Sequence, residues 1–393
     1  CPYDCGVCPD HMQHACLTVL EITDHCNLQC PVCYADSGPH RPGYRDLATI
    51  ERMLDAIVAN EGEPDVVQIS GGEPTLHPEF FAVLDAARRR PIRHLMLNTN
   101  GIRIANDRAF AERLAGYAPG FEVYLQWDSF EASALQKLRG VDLRGVRQRA
   151  LETLNDLNLS TTLVVTVARD CNEYELGAII DHAARQRAVR GVTVQPVQHA
   201  GRVPGIDPAH DRLTLTEVRT RILQQTRLFA PGDIIPVPCN PDALAMAYAI
   251  KTPGGLQPLT HLIPPEVLLA GERNTIVFEK DPALKQSLFR LFATNHGPDG
   301  QARALGELLC CLPNVQGLDI GYDQVFRVLI MHFMDAWNFD LRAMKKSCVH
   351  IVQPDGRLIP FEAFNLLYRD DKSERLRQLR AEVRAPFDQK EPA

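Results

Sequence analysis

The sequence predicts an α/β fold: a partial (βα)6 barrel of the TIM type, with a cysteine-rich segment in front and a mostly helical extension behind. Three observations carry this reading. Short, β-branched apolar runs alternate with amphipathic helical stretches. Loops rich in chemistry-bearing residues follow those runs directly. Seven of the twelve cysteines fall within the first 33 of 393 residues.

The strand candidates cover residues 17–23, 66–70, 94–98, 121–126, 161–167 and 191–196. Each run is four to eight residues long and rich in Val, Ile, Leu or Thr, as a buried parallel strand requires. Helices are expected over 46–60, 79–89, 107–116, 145–157 and 173–186. Right-handed crossovers curl such units into a full or partial barrel, with chemistry at the C-terminal strand ends. The second cysteine group, within 24–34, follows the first strand. Gly71-Gly72-Glu73-Pro74 follows the second, Asn98-Thr99-Asn100-Gly101 the third, and Asp128-Ser129 the fourth. All four are expected at one mouth.

Four units are expected along the chain: a cysteine-rich segment over 1–16, the barrel over 17–205, a C-terminal domain over 206–371 and a charged tail over 372–393. Gly201, Pro204, Gly205 and Pro208 mark the main boundary. Beyond it, helix is expected over 281–311 and 322–346.

Composition excludes several function classes. With 42 basic against 49 acidic side chains the formal charge is −7, which is not the basic footprint of a nucleic-acid binder. No apolar run approaches the roughly 20 residues of a membrane span. The longest, 325–334, contains Arg327 and His332. No signal peptide is visible, and the chain opens at Cys1. A cytoplasmic protein is expected, with membrane-surface contact if the substrate is a lipid.

The same cysteine spacing occurs twice: Cys1-x3-Cys5-x2-Cys8 and Cys26-x3-Cys30-x2-Cys33. Spacings this tight suit ligands closing on one metal centre better than cystines. Three thiolates on a loop hold three irons of a [4Fe–4S] cluster and leave one iron open, the mark of a catalytic centre. The alternative is a structural zinc completed by a distant fourth ligand. Cys26 follows a strand and Cys1 does not, so the second triplet is assigned to the catalytic cluster. Cys1, Cys5 and Cys8 are then expected to hold an auxiliary [4Fe–4S] cluster with Cys16, or a zinc. Cys239, Cys310, Cys311 and Cys348 are candidates for a further auxiliary cluster, and Cys171 reads as a buried free thiol.

The cysteine loop and Gly71-Gly72-Glu73-Pro74 together resemble the radical S-adenosylmethionine (SAM) superfamily, over about residues 17–201. The resemblance implies that SAM binds the open iron through its amino and carboxylate groups. It is then cleaved reductively to methionine and a 5′-deoxyadenosyl radical, which takes hydrogen from an unactivated carbon. It implies Cys26, Cys30 and Cys33 as cluster ligands, with Tyr34 and Gly71 to Pro74 beside the methionine part. Asn98, Asn100, Gln126 and Asp128 are implied at the methionine and ribose groups, and Thr166 and Gln195 at the adenosine. A ferredoxin- or flavodoxin-type protein is implied as reductant.

A narrower resemblance touches both chain ends. It lies in Cys-Pro-Tyr-Asp-Cys-Gly-Val-Cys-Pro, in Phe333-Met334-Asp335 with Asn338-Phe339-Asp340, and in Ser347-Cys348-Val349-His350 with Pro354-Asp355-Gly356. These segments resemble archaeal tetraether lipid synthases and the pterin methylases of methanogens. Glu362 departs from that pattern, standing close behind Phe361 where the resemblance implies a cysteine. The leading expectation is C–C coupling of lipid tails in an apolar tunnel, lined by residues 262–269 and 325–334. Radical methylation of a pterin-like small molecule is the second. A non-catalytic iron–sulfur electron carrier is the third, and it requires four protein ligands on every centre.

Overall fold

A computed structural model describes residues 11–205, 207–237, 240–252, 255–261 and 324–369. Cys1, Cys5, Cys8, Cys239, Cys310 and Cys311 lie outside the described residues, as do segment 262–269 and the charged tail.

Six parallel strands form the barrel wall in sequence order: β1 (Leu17–Glu21), β2 (Val66–Ser70), β3 (His94–Thr99), β4 (Phe121–Gln126), β5 (Thr161–Val167) and β6 (Val189–Pro196). The expected crossover helices pack outside: α1 (Leu47–Glu61), α2 (Phe80–Arg88), α4 (Arg108–Ala115), α6 (Arg144–Asp156) and α7 (Leu176–Ala184). Asp46 caps α1 by accepting the Thr49 N–H at 2.8 Å, and Gly62, at φ 71°, ends it. Two short helices were not legible in the sequence, α3 (Ile102–Asn106) and α5 (Ala132–Arg139). Neither has a side-chain N-cap, and α5 buries only a narrow stripe including Ala134, Leu135 and Leu138.

Period-two alternation splits the apolar side chains into two cores. Leu20, Ile22, Leu97, Val123 and Val165 pack outward against the helices. Val19, Met96, Tyr124, Val164 and Leu329 face the lumen. Each fully buried Leu, Ile or Val contributes roughly 1.5–3 kcal/mol.

The expected C-terminal domain extends the same sheet. Beyond β6 come α8 (Leu215–Gln225), β7 (Ile235–Pro236), β8 (Leu244–Thr252), β9 (Gly255–Pro258), β10 (Val325–Met331), α9 (Leu341–Met344), β11 (Val349–Val352) and β12 (Leu358–Pro360). β10 pairs parallel with β6, and β11 pairs parallel with β1. Part of the stretch expected as helix over 322–346 is therefore strand. Val-Phe-Arg-Val-Leu-Ile-Met is buried on both faces, so it lacks the alternation that marks a strand in sequence. Arg327 points into the barrel floor, where its Nη2 lies 3.0 Å from Glu122 Oε1. His94 Nε2 is 3.4 Å from the same carboxylate.

Candidate active site

The C-terminal ends of the barrel strands surround a cavity of about 140 Å³. Cys26, Cys30 and Cys33 all border it. So do Tyr34, Gly71, Gly72, Asn98, Asn100, Gln126, Thr166 and Gln195. The fold thus brings most of the residues singled out in the sequence to one place. Glu73, Pro74 and Asp128 are not in its wall.

The cysteine loop is held by backbone pairing on three sides. Gly72 N–H donates to Thr23 O at 2.8 Å and Glu73 N–H to His25 O at 2.9 Å. A Cβ on Gly71 would stand 2.1 Å from Thr23 O, and one on Gly72 2.1 Å from His25 O. The glycines are thus required by the packing of two backbones, in addition to any approach of ligand to carbonyl. Gly72→Ala is expected to push the Cys26 turn outward and cut cluster loading several-fold, read as iron per chain after anaerobic reconstitution. Normal iron content in that variant would refute the packing argument.

On the opposite side Arg202 clamps the loop. Cys33 N–H donates to Arg202 O at 2.8 Å and Arg202 N–H returns to Cys33 O at 2.9 Å. The guanidinium donates to Cys30 O at 2.6 Å, to Asp36 Oδ1 at 2.7 Å and to Ser37 O at 2.7 Å. Gly201, at φ 64°, makes this approach possible, since a Cβ there would meet Tyr34 O at 2.2 Å. The third contact is Val32 N–H to Leu138 O, 3.3 Å, from the end of α5.

Burial pushes the Cys26 thiol up to about 12, against the Leu28 N–H, which lies 3.4 Å from its sulfur. Burial also raises Cys30, against the opposing pull of the Arg139 guanidinium. Thiols held this way release protons on binding metal. Among the described residues no three His, Cys, Asp or Glu side chains close on a single ion. Three soft thiolates ringing a shared void, with an N–H aimed at one sulfur, fit the corners of an iron–sulfur cluster.

Two carboxylates expected at the cofactor do other work. Glu73 is 1 % exposed and accepts from Thr75 N–H at 3.2 Å, Thr75 Oγ1 at 2.6 Å, Thr99 Oγ1 at 2.7 Å and Asn100 N–H at 2.8 Å. It ties the β2 loop to the β3 loop, and so acts on the site through backbone. Asp128 is fully buried and accepts from Arg139 Nε and Nη2 at 2.8 and 2.7 Å, Arg147 Nη2 at 2.7 Å and Thr166 N–H at 3.0 Å. Both its oxygens are occupied, which corrects the expectation that Asp128 holds a ribose. Asn100 Nδ2 donates to Asn27 Oδ1 at 2.8 Å, joining β3 to the cysteine loop, and Asn98 Nδ2 reaches Ser70 Oγ at 3.3 Å. Pro74 starts a short turn beneath the loop.

Tyr34 packs on Phe361, with ring centroids 4.9 Å apart, and Phe361 on Phe333 at 4.2 Å. Arg369 grips Glu21 through both oxygens, at 2.8 and 3.2 Å, and so joins the C-terminal segment to the end of β1. Gln68, Arg139 and Arg202 carry no local mark as site residues, because they reach the mouth only through sheet closure; Phe333 and Phe361 stand in the quoted C-terminal motifs, but their place at the cavity is set by the fold.

Cys16 and Cys348 lie at the other end of the strands. Leu17 N–H donates to Cys348 O at 3.1 Å, so the two cysteines stand side by side where β1 and β11 begin. His14 Nε2 is 3.4 Å from Cys16 Sγ. Glu362 is buried and accepts from Ser347 Oγ at 2.9 Å. Cys171 is buried under α5 beside Ala134 and Leu138.

Residues 20–183 match the Radical SAM superfamily. Over 95 % of its length the chain is 28 % identical to the 7,8-dihydro-6-hydroxymethylpterin dimethyltransferase of Methanocaldococcus jannaschii, of which it covers 81 %. It is 32 % identical to the GTP 3′,8-cyclase of Cronobacter sakazakii over 41 % of this chain and 49 % of that protein. A solved structure of Streptococcus suis SuiB bound to S-adenosylmethionine aligns with 53 % of this chain and 46 % of that one, at 18 % identity and a TM-score of 0.44. With three thiols and a glycine loop at the mouth of a βα wall, and with this match over the same stretch, residues 20–183 of the barrel are a radical SAM domain.

Proposed function

We propose that this radical SAM enzyme abstracts hydrogen from a small planar heterocycle of the pterin type, and that the carbon radical then takes the methyl group of a second SAM, which leaves as S-adenosylhomocysteine once the reductant has supplied one further electron. One observation supports this over a lipid tail: the lumen presents amides whose partners are poor. Gln68 Nε2 is turned to Met96 Sδ at 3.7 Å, and Gln195 Nε2 to Met331 Sδ at 3.8 Å. Gln126 Oε1 is buried with no hydrogen-bond partner. By the resemblance Gln126 and Gln195 belong to SAM, which leaves Gln68 for the substrate; against a methylene chain its amide would stay unsatisfied, at about 1–3 kcal/mol. A ring bearing amino and oxo groups satisfies it, and the Phe333 and Phe361 rings offer it a stacking wall. The pterin in the name of one relative above and the guanine base of the GTP in the name of another share a 2-amino-4-oxopyrimidine edge that matches a primary amide.

The cluster and SAM, when bound, supply the 5′-deoxyadenosyl radical. The chain's part is placement: Cys26, Cys30 and Cys33 fix the metal corner, the Gly71–Gly72 backbone and Asn98 border it, and the aromatic wall excludes water. A ferredoxin-type reductant fits this need. Cys16 and Cys348 are candidates for an auxiliary cluster. Among the described residues no helix is long and apolar enough to cross a membrane.

The test uses reconstituted, dithionite-reduced protein with SAM and 7,8-dihydro-6-hydroxymethylpterin deuterated on carbon. The expected result is deuterium in 5′-deoxyadenosine and a methylated pterin by mass spectrometry. Deuterium transfer from a labelled isoprenoid lipid, with none from the pterin, would instead restore the lipid reading.

A further inference from the structure

Behind the cysteine loop lies a buried charge cluster whose own members do not balance. The Asp128 carboxylate is shared between Arg139 and Arg147 at 2.7–2.8 Å. The three side chains are 0, 9 and 2 % exposed respectively. Arginine stays protonated even when buried. Two cations on one anion leave one positive charge uncompensated in a low-dielectric setting. Arg147 Nε and Nη1 have no hydrogen-bond partner, so nothing anionic has been placed there to cancel it. Glu73, a carboxylate whose charge bears on Cys26, is already turned to the Thr75, Thr99 and Asn100 donors.

The surplus charge stands at the cluster corner, since Arg139 borders the same cavity as Cys30 and its guanidinium favours the thiolate there. Its position is over-determined. Asp128 takes Nε and Nη2, and Nη2 also reaches Thr166 Oγ1 at 2.8 Å. The neighbouring Leu138 O accepts the Val32 N–H of the cysteine loop. Gly140, next in the chain, lies so that a Cβ would be 3.3 Å from Pro31. The arginine and the loop therefore move as one piece.

We propose that Arg139, held by Asp128 and backed by Arg147, is a positioning and potential-setting residue that raises the reduction potential of the cluster carried by Cys30. The physical reason is direct. Reduction adds a negative charge to a group ligated by three thiolates, and a fixed buried cation beside one sulfur stabilises the reduced form more than the oxidised one. The inference concerns only the metal corner and holds for any substrate.

The test is a potentiometric titration of the reconstituted full chain without SAM, followed by EPR, on wild type, Arg139→Gln and Arg139→Lys, with iron content and SAM affinity measured separately. Arg139→Gln is expected to lower the midpoint so that the oxidised-to-reduced ratio at fixed potential rises about tenfold, which is about 59 mV for one electron. Arg139→Lys keeps the charge and is expected to recover most of the shift. An unchanged midpoint at full iron content overturns the proposal, and so does equal displacement in both variants. A loss of SAM affinity with the midpoint unchanged would assign Arg139 to SAM instead and also overturns it. Should Arg139→Gln fail to load iron, Arg147→Gln decides the matter. It removes the second cation without touching the loop and is expected to shift the midpoint the same way by a smaller amount; no shift there overturns the proposal.

Discussion

Replacing Cys30 with Ala is expected to abolish iron–sulfur absorbance at the barrel mouth and to reduce 5′-deoxyadenosine formation to background, whereas Cys171→Ala is expected to retain both. Cys30 borders the cavity and its carbonyl is gripped by Arg202. With only two thiolates left on the loop, a cluster loses one of three protein anchors, and the open corner that binds SAM loses its geometry. Cys171 offers the contrast because it is equally a buried cysteine. Its sulfur faces Ala134 O at 4.0 Å under α5, away from the cavity wall. Its removal takes away one small apolar contact and costs about 1 kcal/mol. Iron and sulfide counts with a product assay check both. Persistent SAM cleavage in the Cys30 variant would mean that another cysteine triplet carries the chemistry.

Arg327→Met is expected to cost about 3–5 kcal/mol, the usual cost of stranding a buried charge. Glu122 sits at 0 % exposure on the barrel floor and faces Arg327, His94 and Thr162. Burial alone would raise its carboxyl. Arg327, then His94 and Thr162, override that and hold it well below the usual carboxylate range. A depressed value means that the pair's stabilisation is complete above the ordinary carboxylate pKa and fades as pH falls toward the folded value. In Arg327→Met the uncompensated carboxylate gains from protonation instead. The gap in melting temperature between wild type and variant is therefore expected to narrow from neutral pH to about pH 4. Adding Glu122→Gln should recover part of the loss, because the stranded charge is then gone. A gap that widens on acidification would refute this account.

The sheet was legible because its signals are local. Apolar runs such as Leu17–Glu21 and Val66–Ser70 declare themselves by β-branched composition and by the loops that follow them. The cysteine spacing, with Gly71-Gly72-Glu73 after the next strand, located the mouth of the barrel. β10 was misread, since burial on both faces erases the period that separates strand from helix. The partners of Asp128 and Glu73 were not legible for a related reason. A loop acid after a strand looks available, and only the fold shows that two arginines from α5 and α6 have occupied one and the β3 loop the other.

The sequence by itself determined the chemistry of this protein: three thiolates at ligand spacing, a glycine turn beside them, and a βα rhythm that delivers both to one rim. Tertiary structure decided what surrounds that chemistry. It set Arg139 in the cavity wall that Cys30 also borders, Arg202 across the loop, Gln68 and Gln195 into the lumen, and Arg327 beneath them. These residues are separated by tens to hundreds of positions along the chain, and their partners follow from strand register. Register is fixed by the global packing of alternating side chains, which no local stretch of sequence contains.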